Sequence, residues 1–452
     1  MASIRGSSNR ICFVKQFSRA SRNVGFRITP PAITFRRQQR WINSSAQNKG
    51  PLDGVRILDL TRVLAGPFCT QILADYGADV LKVENPKGGD DTRRWKTAAE
   101  KDIWKSTEND ISAYFCGVNR NKRSITLNFK EEKGREVLFR LVKNADVLVD
   151  NFVPGKMEEL GIGYEKLRSI NPSIIHASVS GYGASGPYAH RAGYDAIAAA
   201  EAGLLHITGE KDGPPTRPGL GLTDMSTGLY LHGAILAALF ARQQNGKGQK
   251  IDASLFESQV SLLSNVAMSW LNGGVEAQRW GTEHPSIVPY QAFQTKDSYI
   301  VLGATNDRQY QVLCRLMDRQ DLAEDPLFAS NDARVENRDK LMKTLKAIVR
   351  QKSTDKWLQI LEGSGMPYGP INTVEKVFSH PQTDARGMVH NIPYSAASSG
   401  QIKVLGFPVK FSETRPQVRT APPGLGEHTE TTLSELGFTQ HEVKEMRANQ
   451  II

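Results

Sequence analysis

The sequence predicts an α/β fold in which a parallel sheet is covered by helices on both faces. Three observations predict it. Short apolar runs such as GVRILDL (54–60) and DVLVDNF (146–152) have the length and composition of buried strands. Longer stretches between them carry apolar residues at helical spacing. Strand and helix alternate along the chain, which calls for crossover connections and hence parallel pairing.

The elements follow in order. After the first strand, Gly66-Pro67 makes a break. FCTQILADYGADVLKVE (68–84) then reads as a helix, a stop at Gly77 and a second buried strand. RSITLNF (123–129) is a strand, KEEKGREVLFRLVKNA (130–145) a helix and DVLVDNF the next strand. A helix near GYEKLRSIN precedes the strand SIIHASVSG (173–181). Open sheets of this kind bind ligands at the carboxyl ends of their strands, and Asn151-Phe152 and the Gly181 loop fall at such ends. A long helix over 226–242 ends at the turn NGKGQK, and IDASLFESQVSLLSNVAMSW (251–270) reads as helical up to Gly273-Gly274. PYQAFQTKDSYIVLGA is a hairpin with Lys296-Asp297 at its tip. Residues 308–363 are amphipathic helices, and GMPYGPIN is a loop that returns the chain to the first domain. The tail gives a strand at Gln401–Leu405 and a last helix over Gln440–Ala448.

The net charge of +10 invites a nucleic-acid reading, but its distribution argues against one. Residues 1–50 hold ten Lys or Arg and no acid, which leaves 47 basic against 47 acidic residues in the rest. That neutral body offers no basic stripe for phosphates. The Arg- and Ser-rich, acid-free leader, with Ile4, Ile11 and Val14 able to share one helical face, has the composition of a mitochondrial transit peptide over residues 1–45. It predicts the mitochondrial matrix as the location. No apolar run reaches the roughly 18 residues needed to cross a bilayer. The four cysteines (Cys12, Cys69, Cys116, Cys314) are scattered and form no CxxC, so neither a disulfide framework nor a zinc site is suggested.

Several motifs compete for the chemistry. GYGASG (181–186) matches GxGxxG after a strand. A dinucleotide site needs a helix to open at that loop, and Pro187 and Gly193 interrupt it. The histidines show neither metal spacing nor a GxSxG partner. Asp212 sits in the turn KDGPP. The basic cluster at Arg120, Lys122 and Arg123 is either a solvated turn or a phosphate contact. Asp224, in GLGLTDMSTG before a long apolar stretch, admits two readings. It is a favoured helix N-cap, and it is a carboxylate that a helix N-terminus would hold ionised for attack on an acyl carbon.

Ten stretches, taken together and in this order, resemble CoA-transferase family III: PLDGVRILDLTRVLAGPFCTQILADYGADVLKVE, DDTRRW, NRNKRSITLNFK, ADVLVDNFVPG, SVSGYGASGPY, GYDAIA, DGPP, LTDMSTG, GKGQKIDASLFES and GEHTETTLSELG. The resemblance runs from about residue 51 to the C-terminus. It implies a Rossmann-like large domain built from residues 51–245 and 375–452, a smaller α+β domain at 250–370, and a homodimer of two interlocked rings. It also implies transfer of coenzyme A from succinyl-CoA to a dicarboxylic acid such as glutarate or 3-hydroxy-3-methylglutarate. Coenzyme A enters as a thioester substrate, with no tightly bound cofactor and no metal.

The same resemblance makes Asp224 the nucleophile and places Leu64, Ala65, Leu127, Lys130, Asn151, Phe152, Val153, Ala192, Tyr194 and Asp195 against coenzyme A. Arg191 and Arg217 are candidates for the remote carboxylate of a dicarboxylate, because a guanidinium pairs with it bidentately. Departures from the family pattern are Glu159 and Asn85 where basic residues are usual, and the lack of a run of glycines between Trp280 and Tyr299. A 2-methylacyl-CoA racemase of the same fold is an alternative. It needs two opposed acid/base groups, and the histidine that precedes the family aspartate in those relatives is Tyr194 here. A non-catalytic mitochondrial RNA-binding protein is the alternative from another class.

Overall fold

The computed structural model describes residues 50–105 and 110–452; the leader lies outside them. Six parallel strands form the main sheet: β1 (Arg56–Asp59), β2 (Asp79–Glu84), β3 (Lys122–Thr126), β4 (Val147–Asp150), β5 (Ile175–Ser180) and β6 (Lys250–Ser254). Their order is β3-β2-β1-β4-β5-β6, so the winding direction reverses between β1 and β4. Crevices form at such a reversal because the chain leaves the two strands in opposite directions.

Side chains alternate across the sheet and supply two cores. Ile57, Val80, Val147, Val149, Ile175 and Ala177 face the first helix (Ala65–Asp75) and the long helix (Leu222–Asn245). Leu58, Leu81, Val83, Ile125 and Leu148 face the Glu132–Val142 helix on the other side. That second core also takes in Leu433, Phe438, Met446 and Ile451, so the end of the chain packs on the sheet that the start of it builds. The last helix, Gln440–Ala448, is fixed by a capping box between Thr439 and Glu442.

A second, antiparallel sheet has the order β7 (Tyr290–Gln294), β8 (Tyr299–Gly303), β9 (Tyr368–Pro370). It has its own core of Phe293, Ile300, Tyr310, Leu341, Trp357 and neighbours. A hairpin, β10 (Val389–Pro393) with β11 (Gln401–Leu405), packs on Trp104 and Phe115.

Two elements differ from the sequence reading. Residues 251–254 are the edge strand β6, not the start of a helix; the helix opens at Leu255, where the Ser254 hydroxyl caps the Glu257 N–H. The loop GMPYGPIN contributes β9, which pairs with β8 instead of leading straight back to the first sheet. No helix among the described residues is long and apolar enough to cross a membrane.

Candidate active site

Three glycines set the geometry around Asp224. At Gly228, a Cβ would come within 2.7 Å of the Ala65 carbonyl oxygen. Its absence lets the long helix cross the first helix at backbone distance. A Cβ at Gly66 would lie 2.4 Å from the Thr61 side chain, and one at Gly221 2.8 Å from Leu64. The N-terminal ends of the two helices therefore meet beside the β1–β4 reversal.

Asp224 stands in the first turn of the long helix, two residues beyond its first, Leu222, and the cap position is Gly221. Asp224 is thus not the N-cap that its residue type suggests. The acceptor for its backbone N–H is the Asp195 carboxylate, at 3.0 Å. The neighbouring Thr223 is anchored by its hydroxyl to Gln259 Oε1 at 2.9 Å. Only 9% of Asp224 is exposed. Burial, and then the negative charge of Asp195, push its carboxyl up to about 7. Burial and a like charge thus push this group in the direction opposite to that expected from a helix terminus alone.

Asp224 opens onto a cleft of about 170 Å³. The β1 end supplies Arg62, Val63, Leu64 and Ala65, and the β4 end supplies Asn151, Phe152 and Val153. The Asn151 side chain ties these walls together: its amide donates to the Arg62 carbonyl (2.7 Å) and its oxygen accepts the Arg62 N–H (3.1 Å). The third wall is two loops, Ser180-Gly181 and Arg191–Tyr194. A Cβ on Gly181 would sit 2.7 Å from the Gly193 Cα, and one on Gly193 2.5 Å from the Gly181 Cα. This close approach, not a dinucleotide, accounts for glycine at 181. The next helix after β5 opens only at Asp195, so no helix N-terminus backs the GYGASG loop.

The structure brings Leu64, Ala65, Asn151, Phe152, Val153, Arg191, Ala192 and Tyr194 to one cleft with Asp224. Asp195 lies behind it, through its bond to the Asp224 N–H. Leu127 and Lys130 do not line the cleft. Leu127 belongs to the core on the Glu132–Val142 side, and Lys130 is exposed in the turn after β3. Arg191 is held by Glu201 at 2.7 Å and lies over the rings of Tyr182 and Tyr188, so its guanidinium is already engaged. Arg217 is exposed and makes no ion pair among the described residues. It lies within electrostatic range of Tyr114, as do Asp224 and Asp195. Tyr194 is 60% exposed at the mouth.

Sequence reasoning missed Arg62, Val63 and Ser180 as lining residues, and Tyr114 as a neighbour of the two aspartates. Position directly after β1 was the available signal for Arg62 and Val63. The basic cluster of residues 120–123 is not a phosphate contact: Arg120 pairs with Asp75, Lys122 with Asp59 and Arg123 with Asp79. Cys69 and Cys116, near the sheet, are buried and poor thiolates. Burial pushes Cys69 far up and Cys116 up to about 12. No cluster of ligating side chains among the described residues fits a metal.

Comparisons with known proteins identify a family and relatives. Residues 52–429 match the model of CoA-transferase family III. An "Acyl-CoA transferase" of Fusarium pseudograminearum is 53% identical over 99% of this chain and 98% of its own length. The "Succinyl-CoA:glutarate CoA-transferase" of Mus musculus is 47% identical over 90% of this chain and 93% of its own. Among solved structures, a CaiB/BaiF family protein from Brucella suis superposes with a TM-score of 0.77. It is 42% identical and covers 86% of this chain and 100% of its own.

Proposed function

The chain belongs to CoA-transferase family III, and from that premise we propose that it moves coenzyme A from succinyl-CoA to glutarate or 3-hydroxy-3-methylglutarate, with Asp224 as the nucleophile. The observation that carries the reading is the position of Asp224: a buried carboxylate at the meeting of two helix N-termini, facing a cleft walled by the ends of β1, β4 and β5. The name of the mouse relative supports glutarate as acceptor. Hydroxymethylglutarate is the finer reading, from the resemblance to the mitochondrial succinate–hydroxymethylglutarate CoA-transferase.

The chemistry follows from what a carboxylate can hold. Asp224 Oδ attacks the thioester carbonyl, the C–S bond breaks, and coenzyme A leaves as thiolate with a mixed anhydride left behind. The thiolate attacks the Asp224 carbonyl, releasing succinate and forming an aspartyl thioester. The acceptor carboxylate attacks that carbonyl and expels thiolate, which then takes the new acyl group and restores Asp224. Each step exchanges one activated carboxyl for another, so no ATP is needed. Water must stay out of the cleft, and the burial of Asp224 serves that end. Arg217, exposed and without an ion pair among the described residues, is the better candidate for the remote carboxylate, since Arg191 is occupied by Glu201. Racemase action is the weaker reading because Tyr194 stands where a base is required.

We read residues 51–245 and 375–452 as one domain, since both ends feed the same core, and 250–370 as the other, with its start moved past β6 because Lys250–Ser254 pairs with β5 in the main sheet. Self-association is supported by large apolar side chains left in solvent on the long helix (Leu229, Tyr230, Phe240) and on the Ser264–Gly273 helix (Met268, Trp270, Leu271). The acid-free leader supports import into mitochondria; cytosolic retention of a reporter fused to residues 1–40 would overturn that.

The decisive experiment mixes purified protein with succinyl-CoA and a panel of dicarboxylates, follows new acyl-CoA by mass spectrometry, and traps the covalent enzyme with borohydride. Formation of glutaryl-CoA, with the modification mapped to Asp224, is expected. Label on another residue would remove Asp224 from the mechanism, and α-proton exchange without transfer would favour the racemase.

A further inference from the structure

Val63 carries a backbone conformation that its side chain disfavours. Its φ is +72°, in the left-handed region where a β-branched residue is strained. Val63 lies on the cleft wall with Leu64 and Ala65, directly before the first helix. Strain of this kind persists only where the surroundings over-determine it, and it concentrates at functional sites.

The restraint comes from behind the wall. The Val63 N–H donates to Asp90 Oδ1 at 3.1 Å. The same oxygen accepts the Thr92 N–H (3.0 Å) and hydroxyl (2.8 Å), which fixes its position. Asp90 Oδ2 stands 3.0 Å from Lys82 Nζ, with both side chains wholly buried. Lys82 also donates to the Thr61 carbonyl at 2.7 Å, just upstream of the turn. The Asp90 N–H is taken by Glu84 Oε2 at 3.0 Å. From the other side Asn151 grips both backbone groups of Arg62. The left-handed turn is thus clamped on either side, yet Asp90 itself does not line the cleft.

We propose that Asp90 is a positioning residue that acts through the Val63 N–H, holding the left-handed turn that gives the Val63–Ala65 wall its shape and so setting affinity for the coenzyme A portion of the substrate. The inference rests on the CoA-transfer reading above. It separates two roles on one wall: Leu64 and Ala65 present the surface, and Asp90 keeps the backbone where that surface fits.

The test uses titration calorimetry with free coenzyme A, together with transfer kinetics. Asp90→Asn cannot satisfy its neighbours, since its amide must turn a donor toward either the Lys82 ammonium or the Val63 and Thr92 N–H groups. Coenzyme A affinity is expected to fall by roughly 5- to 100-fold, the range that corresponds to the usual strain at such a residue, with KM for succinyl-CoA rising alongside and kcat changing far less. Adding Val63→Gly to Asp90→Asn should recover most of the loss, because glycine takes positive φ freely.

Wild-type affinity in folded Asp90→Asn would overturn the proposal, and so would a loss that glycine does not recover. If Asp90→Asn fails to fold, Val63→Pro serves instead. It forbids positive φ and removes the N–H while keeping the Asp90–Lys82 pair. Unchanged coenzyme A affinity in that variant overturns the proposal, and a loss at least as large supports it. Absence of coenzyme A binding by the wild-type enzyme overturns the functional reading and this inference with it, and the wild-type titration alone identifies that case.

Discussion

Two groups of buried carboxylates flank the cleft, and they are treated in opposite ways. Below the β1–β2–β3 ends, Asp59, Glu84 and Asp90 are matched by Lys82, Arg93 and Lys122. Burial would raise the Asp59 carboxyl, but the ammoniums of Lys122 and Lys82 and the hydroxyls of Thr61 and Thr70 outweigh it and hold it well below the usual carboxylate range. Across the cleft, Asp224 is buried with another carboxylate, Asp195, for its nearest charge, and its carboxyl rises to about 7. Burial alone does not decide what an aspartate does. A buried acid given its own cation becomes scaffold, whereas one denied a cation stays poised to react.

The largest expected effect breaks the reactive side. Asp224→Asn should keep the fold and lose transfer by several powers of ten, because an amide cannot form the anhydride; turnover near the wild-type rate would sink the assignment. The same variant tests the raised proton affinity. The folded protein keeps the Asp224 proton up to about pH 7, while the unfolded chain loses it near the ordinary aspartate value of 3.8. Stability is therefore lost progressively as the pH rises from about 4 to about 7, and the loss is complete above that. The variant should melt higher than wild type at pH 8, with the gain fading as the pH falls from about 7 to about 4. An unchanged difference across that range would contradict the shift.

Next comes the scaffold side. Asp59→Asn leaves Lys122, wholly buried beside it, without its anion. A loss of about 3–5 kcal/mol of stability is expected, since breaking one partner strands the other charge. Chemical denaturation measures it. A loss under about 1 kcal/mol, typical of an exposed pair, would show that the network is less tightly coupled than its geometry indicates. The smallest effect sharpens the comparison at Asp195. Asp195→Asn still accepts the Asp224 N–H but removes the like charge. The acid limb of kcat/KM should move down from about pH 7, yet stay above the ordinary carboxylate range, because burial is the larger cause of the shift. An acid limb that stays in place would overturn the contribution of Asp195 to the shift.

The sequence made the sheet legible wherever an element carried its own signal. The last helix announces itself through Thr439 and Glu442, and the β7–β8 hairpin through its alternation and polar tip. What escaped depends on partners remote in sequence. β6 is short and half-exposed, and its identity comes from pairing with β5, some seventy residues earlier. β9 is three residues long and exists because β8 offers an edge. Asp224 resembles a cap because Asp caps helices locally, yet the acceptor that serves this helix belongs to Asp195. Val63 had no signal at all, since nothing in a valine marks a left-handed turn; the cause lies in Asp90 and Asn151. Most of the cleft-lining residues were reached through resemblance to a family, whereas Leu127 lies in the core on the Glu132–Val142 side.

Gly181 and Gly193 touch backbone to backbone. In a complete mutational scan, neither position should tolerate even alanine, and each should fail for the other's sake, because a single methyl group on either strand displaces the opposite loop. Both would score as severely as a catalytic side chain while offering no functional group to the substrate. Tolerance maps of this enzyme therefore need a second axis: the pair is epistatic by geometry, and intolerance at these two codons reports the fit between two loops, not chemistry.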